Sequence, residues 1–372
     1  MSDDIPEPDR VSGAPHPRET LRLLGHDRAE RMVLDAFATG RMHHAWLITG
    51  PRGIGKATLG WRMARFLLSQ PAGTESSLFG APEPPQSLDI RADSPVARRV
   101  SALSEPRLFL LRRSYDHKSK RLKQDITIDA ARKLKGFFAL SAADGGRRVV
   151  LIDAADELNP SAANAILKLL EEPPASATLL LIAHQPTRLL PTLRSRCRTL
   201  ALRPLSPEHL SQALAQAGAD PVEGPSASGL AALAEGSVGA AWTLIENEGF
   251  AFYGGLIRLL ARAPGIDRNE ALALANVSAE HLLSRLSLIE ILLARLARTG
   301  ISGPPDPEAA PGEGALFARL APDPASARRW AALQQSQGDK LRHGAAVNLD
   351  PSALLLDTLL AIDGAAHVPA PA

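Results

Sequence analysis

Five short apolar runs set the pattern of the first half of the chain. They are Ala45–Ile48, Arg107–Leu111, Val149–Ile152, Thr178–Ala183 and Thr199–Leu202, each bounded by polar or turn residues. Each has the length and flanks of a buried strand. Between them the apolar positions change to helical spacing. Leu59, Met63, Phe66 and Leu67 follow the first run, and Glu19–Gly40, Ile126–Phe138, Ser161–Glu172 and Arg188–Leu193 read the same way. Strands alternating with helices predict an α/β domain with a parallel sheet. From Ser206 onward only helical periodicity remains, with segments at Pro207–Gly218, Ser228–Glu235, Val238–Glu246, Ala279–Arg298, Pro324–Leu341 and Asp350–Ile362.

This pattern divides the chain into a leader (1–18), an α/β domain (19–204), a small helical lid (205–248) and an all-α C-terminal region (249–372). The last carries enough apolar helix outside the α/β domain to serve packing or oligomerisation. The leader is acidic and proline-rich and is expected to be disordered. Residues 71–106 read as a long loop or degenerate insertion, and Gly145-Gly146 as a break.

Composition narrows the function classes. A chain of 372 residues with 45% hydrophobic and 22% charged residues is expected to hold two or three globular domains. A net charge of +2 gives no global basic field, so any nucleic-acid contact must be local. One cysteine, Cys197, excludes a disulfide framework or a cysteine-built zinc site within the chain. No apolar run is long enough to span a bilayer, and a cytoplasmic location is expected.

The chemistry centres on Thr49-Gly50-Pro51-Arg52-Gly53-Ile54-Gly55-Lys56-Ala57-Thr58. A strand, a glycine loop and a helix in succession form the setting of a P-loop. Backbone N–H groups of Gly50, Gly53 and Gly55 would cradle phosphate, helped by the helix N-terminus, with Lys56 reaching the terminal phosphates. The residue after the lysine should be Ser or Thr to bind Mg²⁺. It is Ala57. Thr58 is one step on, and one helical step turns a side chain by about 100°. Val149–Asp153 is a buried strand ending in a carboxylate, the second magnesium-holding feature of such sites, with Asp153 at its end. The expected Asn159 cap with Pro160 at N1 accounts for Asp156 and Glu157 as residues of a local helix start.

Three features leave more than one reading open. The stretch 112–123 is the most basic in the chain. Arg112, Arg113, Lys118, Lys120 and Arg121 either contact a phosphate backbone, with Tyr115 stacking, or form a solvated hairpin face. His43-His44 reads as a loop or adenine-side contact or as half of a metal site. The alternate arginines at 194, 196 and 198 are either a solvated strand edge or a group serving a neighbour's phosphates.

Asn164–Pro174, Ser195-Arg196-Cys197, His43-His44-Ala45-Trp46, Gly236-Ser237-Val238-Gly239 and Ala345–Pro351 together resemble the clamp-loader branch of the AAA+ family over almost the whole chain. The resemblance implies an AAA+ (RecA-like) P-loop domain, a helical lid and a helical collar. It also implies a place in the bacterial DNA polymerase III clamp loader, a component of a DNA-directed DNA polymerase holoenzyme. The partners implied are motor subunits of the gamma/tau type, a delta subunit, the sliding clamp and primed DNA, with no membrane. A hydrolysing motor subunit would carry Ser or Thr at Ala57, Glu at Ala154 and an arginine at Gly239. All three are missing, whereas Arg196 matches the family's arginine finger, which reaches a neighbour's ATP. The resemblance therefore implies a non-hydrolysing stator that needs no cofactor and binds ATP or ADP weakly if at all. The alternative is an active ATPase in which Thr58 and Asp156 replace the missing groups. Residues 71–106 hold no cysteine, so the family's zinc module is not carried over, and no metal is expected.

Overall fold

The structure, a computed structural model, describes residues 6–70, 84–139, 146–222, 224–347 and 349–367. Residues 71–83 of the expected loop, Gly145 of the expected break and Asn348 lie outside them. The chain forms two compact units. The first comprises residues up to Gly218 plus Ser237–Gly239, and the second the remainder. The segment Pro207–Gln216, read as the start of the lid, thus belongs to the first unit. There Gln216 Nε2 donates to the Arg22 carbonyl at 3.0 Å.

Unit 1 opens with α1 (Asp27–Ala38), shorter than the helix expected from Glu19. The reason lies downstream. Two buried arginines of α2 (Lys56–Ser69) take the carbonyls of the preceding residues. Arg65 donates to Arg18 at 2.6 Å and to Thr20 at 2.9 Å, and Arg62 donates to Leu21. Those carbonyls are then unavailable to a helix.

Five parallel strands make the sheet: β1 (Ala45–Thr49), β2 (Leu108–Arg112), β5 (Arg148–Asp153), β6 (Ala177–Ala183) and β7 (Arg198–Ala201). Their spatial order is β2-β5-β6-β1-β7. β1, β6 and most of β5 are buried on both faces, which explains their continuous apolar runs. One core holds Trp46, Ile48, Leu59, Trp61, Phe66, Leu151, Leu180 and Ile182 on the side of α2. The other holds Leu47, Leu134, Val150, Ile166, Leu179 and Leu181 beneath α4 (Ile128–Ala139) and α5 (Pro160–Glu171). Asn159 caps α5, accepting from Ala162 N at 2.8 Å, as its Asn-Pro signature predicts.

Several expectations need correction. The region read as a long loop contains α3 (Pro95–Ser101), capped by Ser94 with Pro at N1. Residues 186–194 form a 3₁₀ turn and the four-residue helix α6 (Pro191–Arg194), not one helix. The basic stretch holds a two-stranded hairpin, β3 (Tyr115–Asp116) and β4 (Arg121–Leu122). Residues 6–18, expected to be disordered, are packed: His16 is fully buried and Asp9 has no exposed side-chain surface.

Unit 2 is all helical, with α8 (Pro225–Ala234), α9 (Val238–Glu246, from Ala240 on), α10 (Gly249–Leu260), α11 (Arg268–Ala275), α12 (Ala279–Ser302), α13 (Glu313–Leu320), α14 (Pro324–Ala346) and α15 (Pro351–Ala366). α12 runs along α14, burying Leu286, Ile289, Leu293 and Leu296 with Trp330 and Leu341. Leu283 of α12, by contrast, is 66% exposed. A buried polar node ties the helices: Glu313 accepts from Tyr253 Oη at 2.6 Å and from Arg295 Nε at 2.8 Å. The paired guanidinium and hydroxyl offset the desolvation of that carboxylate.

Gly60 sets how closely α2 approaches the sheet. A Cβ there would stand 3.0 Å from Leu151 Cδ1 and 3.4 Å from Ile182 Cδ1. Gly60→Val should therefore overpack this contact and cost about 1–3 kcal/mol. Urea unfolding followed at the unit 1 tryptophans should show a lower midpoint.

Candidate functional site

The strand order reverses beside β1, and such a switch point opens a crevice at the carboxyl ends of the strands. The glycine loop, Asp153 and His184 all lie at this edge, at the ends of β1, β5 and β6. Gly50, Gly53 and Gly55 have φ of 140°, 72° and 102°. The loop carries conformations that side chains resist. At Gly53 the limit is also spatial. A Cβ would fall 2.3 Å from Ser237 Oγ and 2.9 Å from Gly239 N. Ser237 Oγ donates to Arg52 O at 2.9 Å, and Gly239 N donates to Gly53 O at 3.1 Å. The segment 237–239 thus rests directly on the loop backbone. Gly239, the position singled out in the sequence, thus has its amide bonded to the loop.

Lys56 begins α2, is 3% exposed, and donates through Nζ to the Pro51 carbonyl. Burial pushes its ammonium down to about 8, against the pull of Asp153 and Asp156 and with a push from Arg52. Asp153 is pushed up to about 8, first by burial, then by the negative charges of Asp9 and Glu157, while Lys56 and Arg112 oppose the shift. Ala57 packs against the apolar core, and Thr58 lies one step further along the helix, partly exposed. Ala154, at the end of β5 next to Asp153, is buried.

Asp156 has a different task from the helix start expected of it. Its two carboxylate oxygens accept from His184 N at 3.0 Å and Gln185 N at 3.1 Å, joining the tips of β5 and β6. His184 sits at the tip of β6, with Nδ1 buried and lacking a hydrogen-bond partner among the described residues. Burial, then Lys56 and Arg52, push its imidazole down to about 4, so it is neutral at physiological pH. Glu157 pairs with Arg113 Nε at 2.7 Å and Arg52 Nη2 at 3.4 Å. Sequence reasoning missed His26, whose Nε2 meets Ile54 O at 2.7 Å and braces the loop from α1.

The basic stretch splits. Arg112 is held by Glu7 at 2.9 Å and by Asp9, and Arg113 by Glu157. Both guanidiniums are thus engaged by carboxylates of this chain. Lys118, Lys120 and Arg121 are exposed on the hairpin and retain the solvated-face and phosphate-contact readings. The arginines after α6 also split. Arg194 is exposed, and Arg198 lies over the Trp46 ring at 4.9 Å. Arg196 is half-exposed, with Nη2 at 3.0 Å from Glu171 Oε1 and Nη1 donating to Thr192 O at 3.0 Å. His43 and His44 stack at 4.3 Å, with His43 Nδ1 turned to the Ala45 backbone. Among the described residues no group of three or more His, Cys, Asp or Glu is arranged to hold a metal ion.

The buried carboxyl gives a signed pH dependence. A folded pKa raised to about 8 means that the native state holds a proton which the unfolded state releases above its ordinary value of 3.8. Stability contributed at this site therefore falls as pH rises from about 4 to about 8. Asp153→Asn removes that loss. Its Tm relative to wild type should rise between pH 5 and pH 8, by the equivalent of about 1 kcal/mol or more. A difference independent of pH would contradict the assignment.

With the site in view, comparisons place the chain among known proteins. A family model described as DNA polymerase III, delta subunit, matches residues 25–206. The DNA polymerase III subunit delta' of Pseudomonas aeruginosa is 38% identical over 154 residues, 41% of each chain. The subunit delta' of Escherichia coli is 34% identical over 176 residues, 47% of this chain and 46% of its own. The gamma/tau subunit of Mycobacterium tuberculosis is 27% identical over 207 residues, 54% of this chain and 31% of its own. The match thus spans about two-fifths to one-half of the length of these delta' relatives. A gamma subunit-related protein of Thermotoga maritima overlays 90% of the chain at 15% identity and a TM-score of 0.40, too distant a likeness to bear on function. Over residues 25–206 the chain is thus similar to the DNA polymerase III delta-prime family.

Proposed function

We propose that this chain is a non-hydrolysing stator subunit of a DNA polymerase III clamp loader. It assembles with motor subunits of the gamma/tau type and a delta subunit to place a sliding clamp on primed DNA. The observation that carries the reading is the division of its catalytic groups. Those that would act on a nucleotide of its own are replaced: Ala57 packs into the core, Ala154 is buried, and Gly239 is bonded to the P-loop. Arg196, which would act on a neighbour's nucleotide, is present and half-exposed.

The active-ATPase alternative asks Asp156 to replace the missing glutamate. Both its oxygens are already engaged by backbone amides, which weighs against a role as base for a water. Thr58 is one helical step from the position that would meet Mg²⁺.

Glu171 and the Thr192 carbonyl hold Arg196 at the surface. In the assembled complex the guanidinium exchanges Glu171 for the phosphates of an adjacent motor subunit. There it stabilises charge on the transferring phosphoryl group. Arg196→Ala should lower the ATPase rate of the reconstituted, clamp- and DNA-stimulated complex about 10-fold or more, with assembly unchanged by gel filtration. Arg196→Lys should recover little, since a point charge does not reproduce the planar fork. A wild-type rate from the Arg196→Ala complex would overturn the arginine-finger role.

A further inference from the structure

The packed leader is not used by the reading above, and its partners are unusual. Asp9 and His16 have no exposed side-chain surface, and lie 3.2 Å apart between Oδ2 and Nε2. Glu7 is held by Arg18 at 2.6 Å and Arg112 at 2.9 Å, and Asp9 also pairs with Arg112. The His16 ring meets the Trp61 ring edge-on at 6.0 Å. Burial alone would raise the Asp9 carboxyl, but His16 and Arg112 outweigh it and hold it below the usual range. Asp9 is therefore a buried anion.

These contacts lie at the edge of the nucleotide site. Arg112 is the β2 residue paired in register with Asp153 of β5. Asp9 is close enough to Asp153 to be the largest of the charges that raise its pKa. Trp61 is on α2, the helix that begins at Lys56. Val11 Cγ2 lies 3.4 Å from the Cβ position of Gly239, whose amide is bonded to Gly53. The leader thus touches the strand-end carboxylate region at residue 9, the segment on the P-loop at residue 11, and the P-loop helix at residue 16. It crosses the carboxyl edge of the sheet, where this fold binds ligands.

We propose that residues 7–16 are an intramolecular plug of the degenerate nucleotide site, with Glu7 and Asp9 supplying to Arg112 the negative charge that a nucleoside polyphosphate would otherwise bring. Binding of a nucleotide requires the leader to leave. The apparent affinity is then reduced by the fraction of molecules in the open state. The proposal rests on reading Gly50–Lys56 as a phosphate loop, and is independent of whether Arg196 acts in trans.

Full-length wild type and Glu7→Gln/Asp9→Asn would be titrated with a fluorescent ATP analogue, with Lys56→Ala added to the double variant as a control. Hydrogen exchange at residues 6–18 would be followed with and without the nucleotide. The double variant should bind at least 10-fold more tightly, the gain should vanish with Lys56→Ala, and nucleotide should remove protection from residues 6–18. Equal affinities, or no binding by either protein, would overturn the plug. So would a tighter variant whose leader stays protected when nucleotide is bound, since removing negative charge alone would then explain the gain. If the double variant fails to fold, exchange in wild type at millimolar ATP decides: loss of leader protection supports the plug, and unchanged protection overturns it. Arg196→Ala ATPase in the complex reads the stator role separately.

Discussion

The burial of Lys56 beside Asp153 is the constraint from which the site follows. An ammonium and a carboxyl both lie out of water at the ends of α2 and β5, each pushed toward its neutral form. Burying charge is costly unless it is paired and hydrogen-bonded. The surroundings are organised accordingly: the Pro51 carbonyl takes Lys56, and Asp156 is spent on backbone amides at the tips of the strands. The geometry is that of a phosphate site kept as scaffold. The loop, helix and sheet edge of a P-loop are present, and alanines stand at 57 and 154.

That combination connects fold to role. Gly60 lets α2 lie close on the sheet, and the segment 237–239 is bonded to the glycine loop. The loop is fixed by protein contacts. On the proposed reading, such a loop fits a subunit whose arginine acts without a nucleotide cycle of its own.

Much of this was legible in the residues. The five apolar runs became the five parallel strands because buried strands need continuous hydrophobicity, a local signal. The losses at 57 and 154 could be read directly, since chemistry is set by residue type at a fixed spacing. The leader could not. Its prolines and acids have the composition of disorder, and its burial depends on Arg112, about a hundred positions away in sequence. The same limit applies to Arg112 and Arg113, whose acidic partners lie at a distance in sequence. Asp156 was misread for a related reason: its acceptors' partners come from the next strand, which local capping rules do not consider. α3 is a different case, because its Ser94-Pro95 cap was present in the sequence and outweighed only by the surrounding Pro, Ser and Gly.

The central claim is that this P-loop domain has kept its architecture and lost its own hydrolysis. Steady-state ATP turnover by the isolated chain, beside its Lys56→Ala variant, tests it most directly. The account predicts no turnover above background in either protein. Turnover by the wild type that Lys56→Ala abolishes would contradict it, and would require a magnesium ligand and a base other than the alanines at 57 and 154.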